Sequence, residues 1–197
     1  MLSPQHSLIL VTAPSASPIS LAEAKAQMRV ESSDDDVLIQ RLIDSAVAFV
    51  DVNGALGKAM ITQSWAQWLG QSPTTVSILI GPFQSLTSIK YYDVDGVLQT
   101  ADTADFNVFG TPYRIKISPK SGKVWPVAQA REDAIRIEYV VGYGDTAADV
   151  PQTVRHALMM LVSHWYEARE TAQEKQMYDL PYGFDDLIGI ERGQWYG

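Results

Sequence analysis

Two hydrophobic periods alternate along this chain, and their order constrains the fold more than any other feature. Residues 18–58 are helical in pattern. Pro18-Ile19-Ser20-Leu21-Ala22-Glu23 places a capping Ser20 three residues before a returning Glu23, the signature of a helix start. The good helix formers of LAEAKAQMR follow. After Val30-Glu31-Ser32-Ser33 a second start comes at Ser33, Asp34, Asp35 and Asp36, where acidic side chains suit a helix N-terminus. Leu38, Leu42, Ala46 and Phe49 then share one helical face, with Ile39, Ile43 and Val50 beside them, and the helix fades near Asn53-Gly54 or Gly57.

From about Met60 to Tyr143 the texture changes. ITQSWAQWL, VSILI, TSIKYY, RIKI and AIRIEYVV are short, β-branched or aromatic runs divided by turn residues. Asp93-Val94-Asp95-Gly96 reads as a hairpin turn, and 119–122 and 142–144 as further turns. Helical spacing returns after Pro151, with Val154, Ala157, Leu158, Leu161, Val162 and Trp165 on one face. The resulting expectation is an α+β fold. A small helical core of three main helices (18–58 and 150–172) carries a β-rich insertion (60–145) between helix 2 and helix 3. Leu38, Leu42, Leu158, Leu161, Val162 and Trp165 are the expected core. Residues 1–172 then form a single domain and 173–197 a tail, in which aromatics mix with Pro181, Gly183, Gly189 and Gly193 without visible period.

Composition narrows the function. Hydrophobic residues make up 46% of the 197 residues, enough for a sizeable core. There is no cysteine, so disulfides, thiolate metal sites and cysteine nucleophiles are excluded. No run approaches the ~20 apolar residues of a membrane helix. Leu8–Val11 reads as a first strand or extended arm, without the basic flank of a signal peptide. The net charge of −8 and pI near 4.8 oppose a phosphate backbone over most of the surface.

The patterns that could carry chemistry are incomplete. His156 and His164 stand two helical turns apart, too far to share one metal ion. Asp34-Asp35-Asp36 is the densest carboxylate cluster, but no second cluster or phosphate-binding loop accompanies it. Gly54-Ala55-Leu56-Gly57-Lys58 superficially resembles a phosphate loop, yet its glycines are too close and Ala59 replaces the required hydroxyl. Asp93-Val94-Asp95-Gly96 lacks the remaining ligands of a calcium loop. No catalytic, cofactor-binding or metal-ligating residue is assigned. The five tryptophans and nine tyrosines read as core and interface anchors in the absence of a basic groove.

Several segments, in order along most of the chain, carry a family resemblance. They are 18–25 with Met28-Arg29-Val30; Asp34-Asp35-Asp36 with Leu38-Ile39 and Leu42-Ile43; Ile61-Thr62-Gln63-Ser64-Trp65; and Ser88-Ile89-Lys90-Tyr91-Tyr92-Asp93 with Asp95-Gly96. Val141-Gly142-Tyr143-Gly144-Asp145, Val150-Pro151, His164-Trp165-Tyr166 and Leu180-Pro181-Tyr182-Gly183 continue the series. Together they resemble the phage head–tail connector (adaptor) proteins of the gp6-like, phiE125 gp8-like family. Ala55-Leu56-Gly57-Lys58 departs from it, since relatives tend to carry Thr-Gly-Arg there.

The resemblance implies a noncatalytic, cofactor-free virion subunit, made in the bacterial cytoplasm and placed at the head–tail junction of a phage or a gene transfer agent. Its implied partners are the portal protein, its own copies in a dodecameric ring, and a stopper or tail-completion protein. DNA would pass through the ring without sequence-specific binding, and no membrane is involved. In the tail, Tyr178, Leu180, Tyr182, Phe184, Leu187, Ile188, Trp195 and Tyr196 are the expected partner-binding residues, because aromatics on an irregular segment suit docking along another protein. Two other readings stand beside this one. One is a small-terminase-like DNA-packaging factor, which needs a basic helix or groove. The other is a hydrolase acting through the Asp34 cluster and His164, which needs those groups to converge.

Overall fold

A computed structural model describes residues 8–168 and 180–193. Among these residues, four α-helices and two antiparallel sheets give an α+β fold that separates into two compact units. One unit comprises 15–61 and 143–197 and holds the helices; the other comprises 1–14 and 62–142 and holds the strands.

In the helical unit, α1 (Leu21–Met28) begins as its sequence dictates. The Ser20 hydroxyl accepts from the Glu23 amide at 3.2 Å, and the Glu23 carboxylate accepts from the Ser20 amide at 2.8 Å. The same carboxylate takes the Arg155 guanidinium of α3 (Gln152–Ala168), whose Nε also donates to the Pro18 carbonyl at 3.1 Å. The Ser20 hydrogen bonds, then the Arg155 charge, hold Glu23 below the usual carboxylate range.

Helix α2 (Asp36–Val50) buries Ile39, Ile43, Ala46 and Val50 against Val154, Ala157, Leu158, Leu161 and Val162 of α3. The α2 face is therefore rotated from the expected one. Leu38 is half-buried, Leu42 packs at the core margin, and Phe49 stays 41% exposed while its ring meets Trp165 edge-on at 6.2 Å. Either apolar row satisfies a helical period, and only the partner helix selects between them.

The expected three-helix core is corrected to four helices. α4 (Phe184–Gly193) begins after Gly183, which sits at φ +86. Pro181 and Gly183 introduce the helix rather than break it, and Asp185 and Asp186 occupy its first turn. Phe184 and Ile188 are buried and Leu187 packs against the same core, at i, i+4 and i+3 spacing. The apolar residues around this period concealed it.

In the strand unit, the five-stranded sheet runs β1-β2-β8-β4-β5 and the three-stranded sheet β3-β7-β6. The strands are β1 (Leu8–Thr12), β2 (Gln63–Leu69), β3 (Val76–Ser77), β4 (Phe83–Tyr92), β5 (Leu98–Ala101), β6 (Phe106–Thr111), β7 (Arg114–Pro119) and β8 (Ile135–Val141). The strand block thus lies between α2 and α3, but its first strand precedes α1 and pairs with β2, Leu10 opposite Trp65. Central β8 buries Ile135, Ile137, Tyr139 and Val141, and burial pushes the Tyr139 phenol upward. Its alternate residues Arg136 and Glu138 pair with each other, and Lys90 lies 3.7 Å from Glu138. The Asp93 carboxylate closes the β4–β5 hairpin by accepting from the amides of Asp95 (3.1 Å) and Val97 (2.9 Å), as a turn residue should.

Candidate docking surfaces

The carboxylates considered for chemistry have a structural occupation. Asp35 accepts from the Tyr166 hydroxyl at 2.6 Å, Asp36 pairs with Lys25 at 2.5 Å, and Asp34 accepts from Ser32 at 2.6 Å. The carboxylate cluster is thereby committed to tying α1 and α3 to the start of α2. His156 is exposed and His164 half-buried, and no cluster of three metal-ligating side chains occurs among the described residues. A cavity of about 260 Å³ in the strand unit is lined by Leu69, Pro73, Val76, Ser77 and Leu79, none of them titratable.

Lys58 is the residue sequence reasoning missed. It is wholly buried, and its ammonium donates to the Glu191 carbonyl of α4. The Glu191 carboxylate, 7% exposed, accepts from the Thr153 hydroxyl at 2.9 Å. Desolvation lowers the Lys58 pKa, and the charge of Glu191 partly opposes it. This buried pair joins the α2–β2 connection, α3 and α4. The signal was present in the sequence: Lys58 is the single charge between Asp51 and Lys90.

The expected partner-binding residues fall into three groups. Phe184, Leu187 and Ile188 belong to the helical core, with the Phe184 ring 6.1 Å from that of Phe49. Leu180 and Tyr182 are exposed, Tyr182 completely. Tyr178, Trp195 and Tyr196 lie outside the described residues.

Charge divides between the units in a way the total conceals. The segments of the strand unit hold seven Lys or Arg and seven Asp or Glu; those of the helical unit hold eight and sixteen. The whole net charge of −8 therefore resides in the helical unit. In the strand unit, the small sheet carries two exposed cations. Ile115 and Ile117 of β7 point inward, while Arg114 and Lys116 are exposed on the opposite face. Lys116 lies opposite Phe109 of β6, itself 46% exposed. The edge strands β1, β5 and β6 contain no charged residue at all, the reverse of the charged guarding usual on free sheet edges.

Comparison with known proteins fits this architecture. A search of curated protein sequences returns no match. Among solved structures, a chain in "Neck of empty GTA particle computed with C6 symmetry" shares 20% identity and a TM-score of 0.75, over 94% of this chain and 95% of that one. A chain in "Virion of native gene transfer agent (GTA) particle" gives 20% and 0.73, over 94% of each chain. One in "Neck of native GTA particle computed with C12 symmetry" gives 18% and 0.66, over 94% of each chain. At such identities the likeness establishes a shared fold. The model of one protein family, "Head completion protein", matches residues 18–177, well over half of the sequence, and the chain therefore belongs to the head completion protein family.

Proposed function

We propose that the chain is a structural subunit of the head–tail junction in a phage or phage-like particle such as a gene transfer agent. In this reading it forms a ring, dodecameric by analogy with the twelvefold neck, beneath the portal protein, and links the head to a stopper or tail component. The observation that carries the proposal is the family match over 18–177, joined to a fold shared with particle-neck chains over 94% of the sequence. The surface agrees with a conduit role. A neutral strand unit and an acidic helical unit offer few counterion-releasing contacts, so duplex DNA would pass without sequence-specific retention. The small-terminase-like alternative needs a basic groove, and the near-neutral strand unit and acidic helical unit favour it less. The work of the subunit is assembly rather than catalysis.

The exposed Leu180 and Tyr182, with Tyr178, Trp195 and Tyr196, form the proposed docking tail toward the portal or a neighbouring subunit. Phe184, Leu187 and Ile188 serve it indirectly, by anchoring α4 in the helical core.

The test is native mass spectrometry of the purified chain with and without portal protein, together with particles from cells lacking the chain. The expected results are a portal-dependent multimer and DNA-filled heads without attached tails. Normal tailed particles in the absence of the chain would overturn the proposal.

A further inference from the structure

The exposed face of the small sheet is the most chemically distinctive surface left without a role. Its residues alternate as β pleating requires: Ile115 and Ile117 go to the core, and Arg114 and Lys116 go outward. Neither cation has an acidic partner among the described residues, whereas Lys90, Lys123, Arg131 and Arg136 of the same unit do. Lys120 follows on the next turn, also exposed and without an ion pair among the described residues. Phe109, across from Lys116, adds an exposed aromatic ring. Along the uncharged β6 edge, Val108 is exposed as well. Cations beside apolar area are the makeup of a surface that receives an acidic, partly apolar partner.

The helical unit of a second copy has that makeup. It carries the entire net charge of −8, so two copies repel wherever their helical units approach each other. The outward side of its α4 presents Asp185 and Asp186 with fully exposed Tyr182 and with Ile190, 59% exposed. Opposite charge and matching apolar anchors thus occur on two different surfaces of one chain. A contact between different surfaces is heterologous, and repetition of it closes into a ring if the rotation permits.

We propose that the basic face of β6 and β7, through Phe109, Arg114 and Lys116, receives the exposed side of α4, through Tyr182, Asp185 and Asp186, of the next copy. The inference rests on the ring reading above and names the surfaces by which the ring closes. Charge complementarity selects the neighbour and the aromatic pair supplies buried area.

The experiment is a charge swap, read in purified particles by quantifying this chain relative to the major head protein. Arg114→Asp with Lys116→Asp, and separately Asp185→Lys with Asp186→Lys, should each lower incorporation by about tenfold or more. All four substitutions in one chain should restore it. Circular dichroism melting of each purified variant controls for folding. The chain lacks cysteine, so a second measurement is available if a charge variant fails to fold. Lys116→Cys with Asp186→Cys in one chain should give an oxidation-dependent ladder of multimers from particles, and either substitution alone should not. If the wild-type chain is absent from particles, the ring reading falls and this proposal with it. If the chain is incorporated but the ladder is missing, this interface alone is overturned. Loss on Arg114 and Lys116 reversal that the Asp185 and Asp186 reversal does not rescue would also overturn it, and would assign that face to DNA or another acidic partner.

Discussion

Phe184→Ala tests whether α4 belongs to the cooperative core or only rests on it. The Phe184 side chain is wholly buried, and its ring lies 6.1 Å from that of Phe49. A phenylalanine buries roughly 150–250 Å², which at about 25 cal/mol per Å² corresponds to about 4–6 kcal/mol. That figure is an upper bound, because an unfolded chain already shields part of its apolar surface. Measured aromatic truncations in cores cost about 3–5 kcal/mol, and we expect a loss in that range. If α4 unfolds together with α2 and α3, the whole loss appears as a lower urea midpoint at unchanged slope. The melting temperature then falls by on the order of 10 °C. If α4 instead detaches first, the global midpoint barely moves and only amides in 184–193 exchange faster. Urea unfolding followed by tryptophan fluorescence, paired with hydrogen exchange, separates the two. A loss below about 1 kcal/mol with wild-type protection across 184–193 would refute the burial argument itself.

Two further outcomes follow from particular residues. Lys58 has a lowered pKa in the fold, so the unfolded state binds more protons between the folded and unfolded values, and stability contributed at this site rises with pH through that alkaline window. Lys58→Met removes the titration; the stability difference between wild type and variant, followed by urea unfolding from pH 8 upward, should therefore shift in favour of wild type as pH rises, and a pH-independent difference would contradict the assignment. Gly110 stands at φ +122, where a Cβ would lie 2.1 Å from the Arg114 carbonyl oxygen. Gly110→Val should cost about 1–3 kcal/mol or more through strain in the β6–β7 hairpin, and thermal melting at wild-type temperature would show the backbone there to be freer than its geometry implies.

What the sequence determined by itself is what local chemistry controls. The Ser20–Glu23 cap, the α3 stripe from Val154 to Val162, the Asp93 turn and the succession of helix, strand and helix all depend on residues within a few positions of one another. Cysteine content excluded disulfide and thiolate chemistry in the same way, without coordinates. Tertiary structure decided whatever required a distant partner. Ile39 and Ile43, rather than Leu38 and Leu42, became the buried row of α2 because α3 faces them. Phe184, Leu187 and Ile188 became core rather than tail because a helix of this length gains its stability from the surface it covers. Leu8–Thr12 became an edge strand only by pairing with residues more than fifty positions away. The concentration of all net negative charge in one unit emerged only when the chain showed which of its segments fold together. Periodicity is a property of a segment, whereas burial and electrostatic field belong to the pairing of segments, which a linear pattern leaves open.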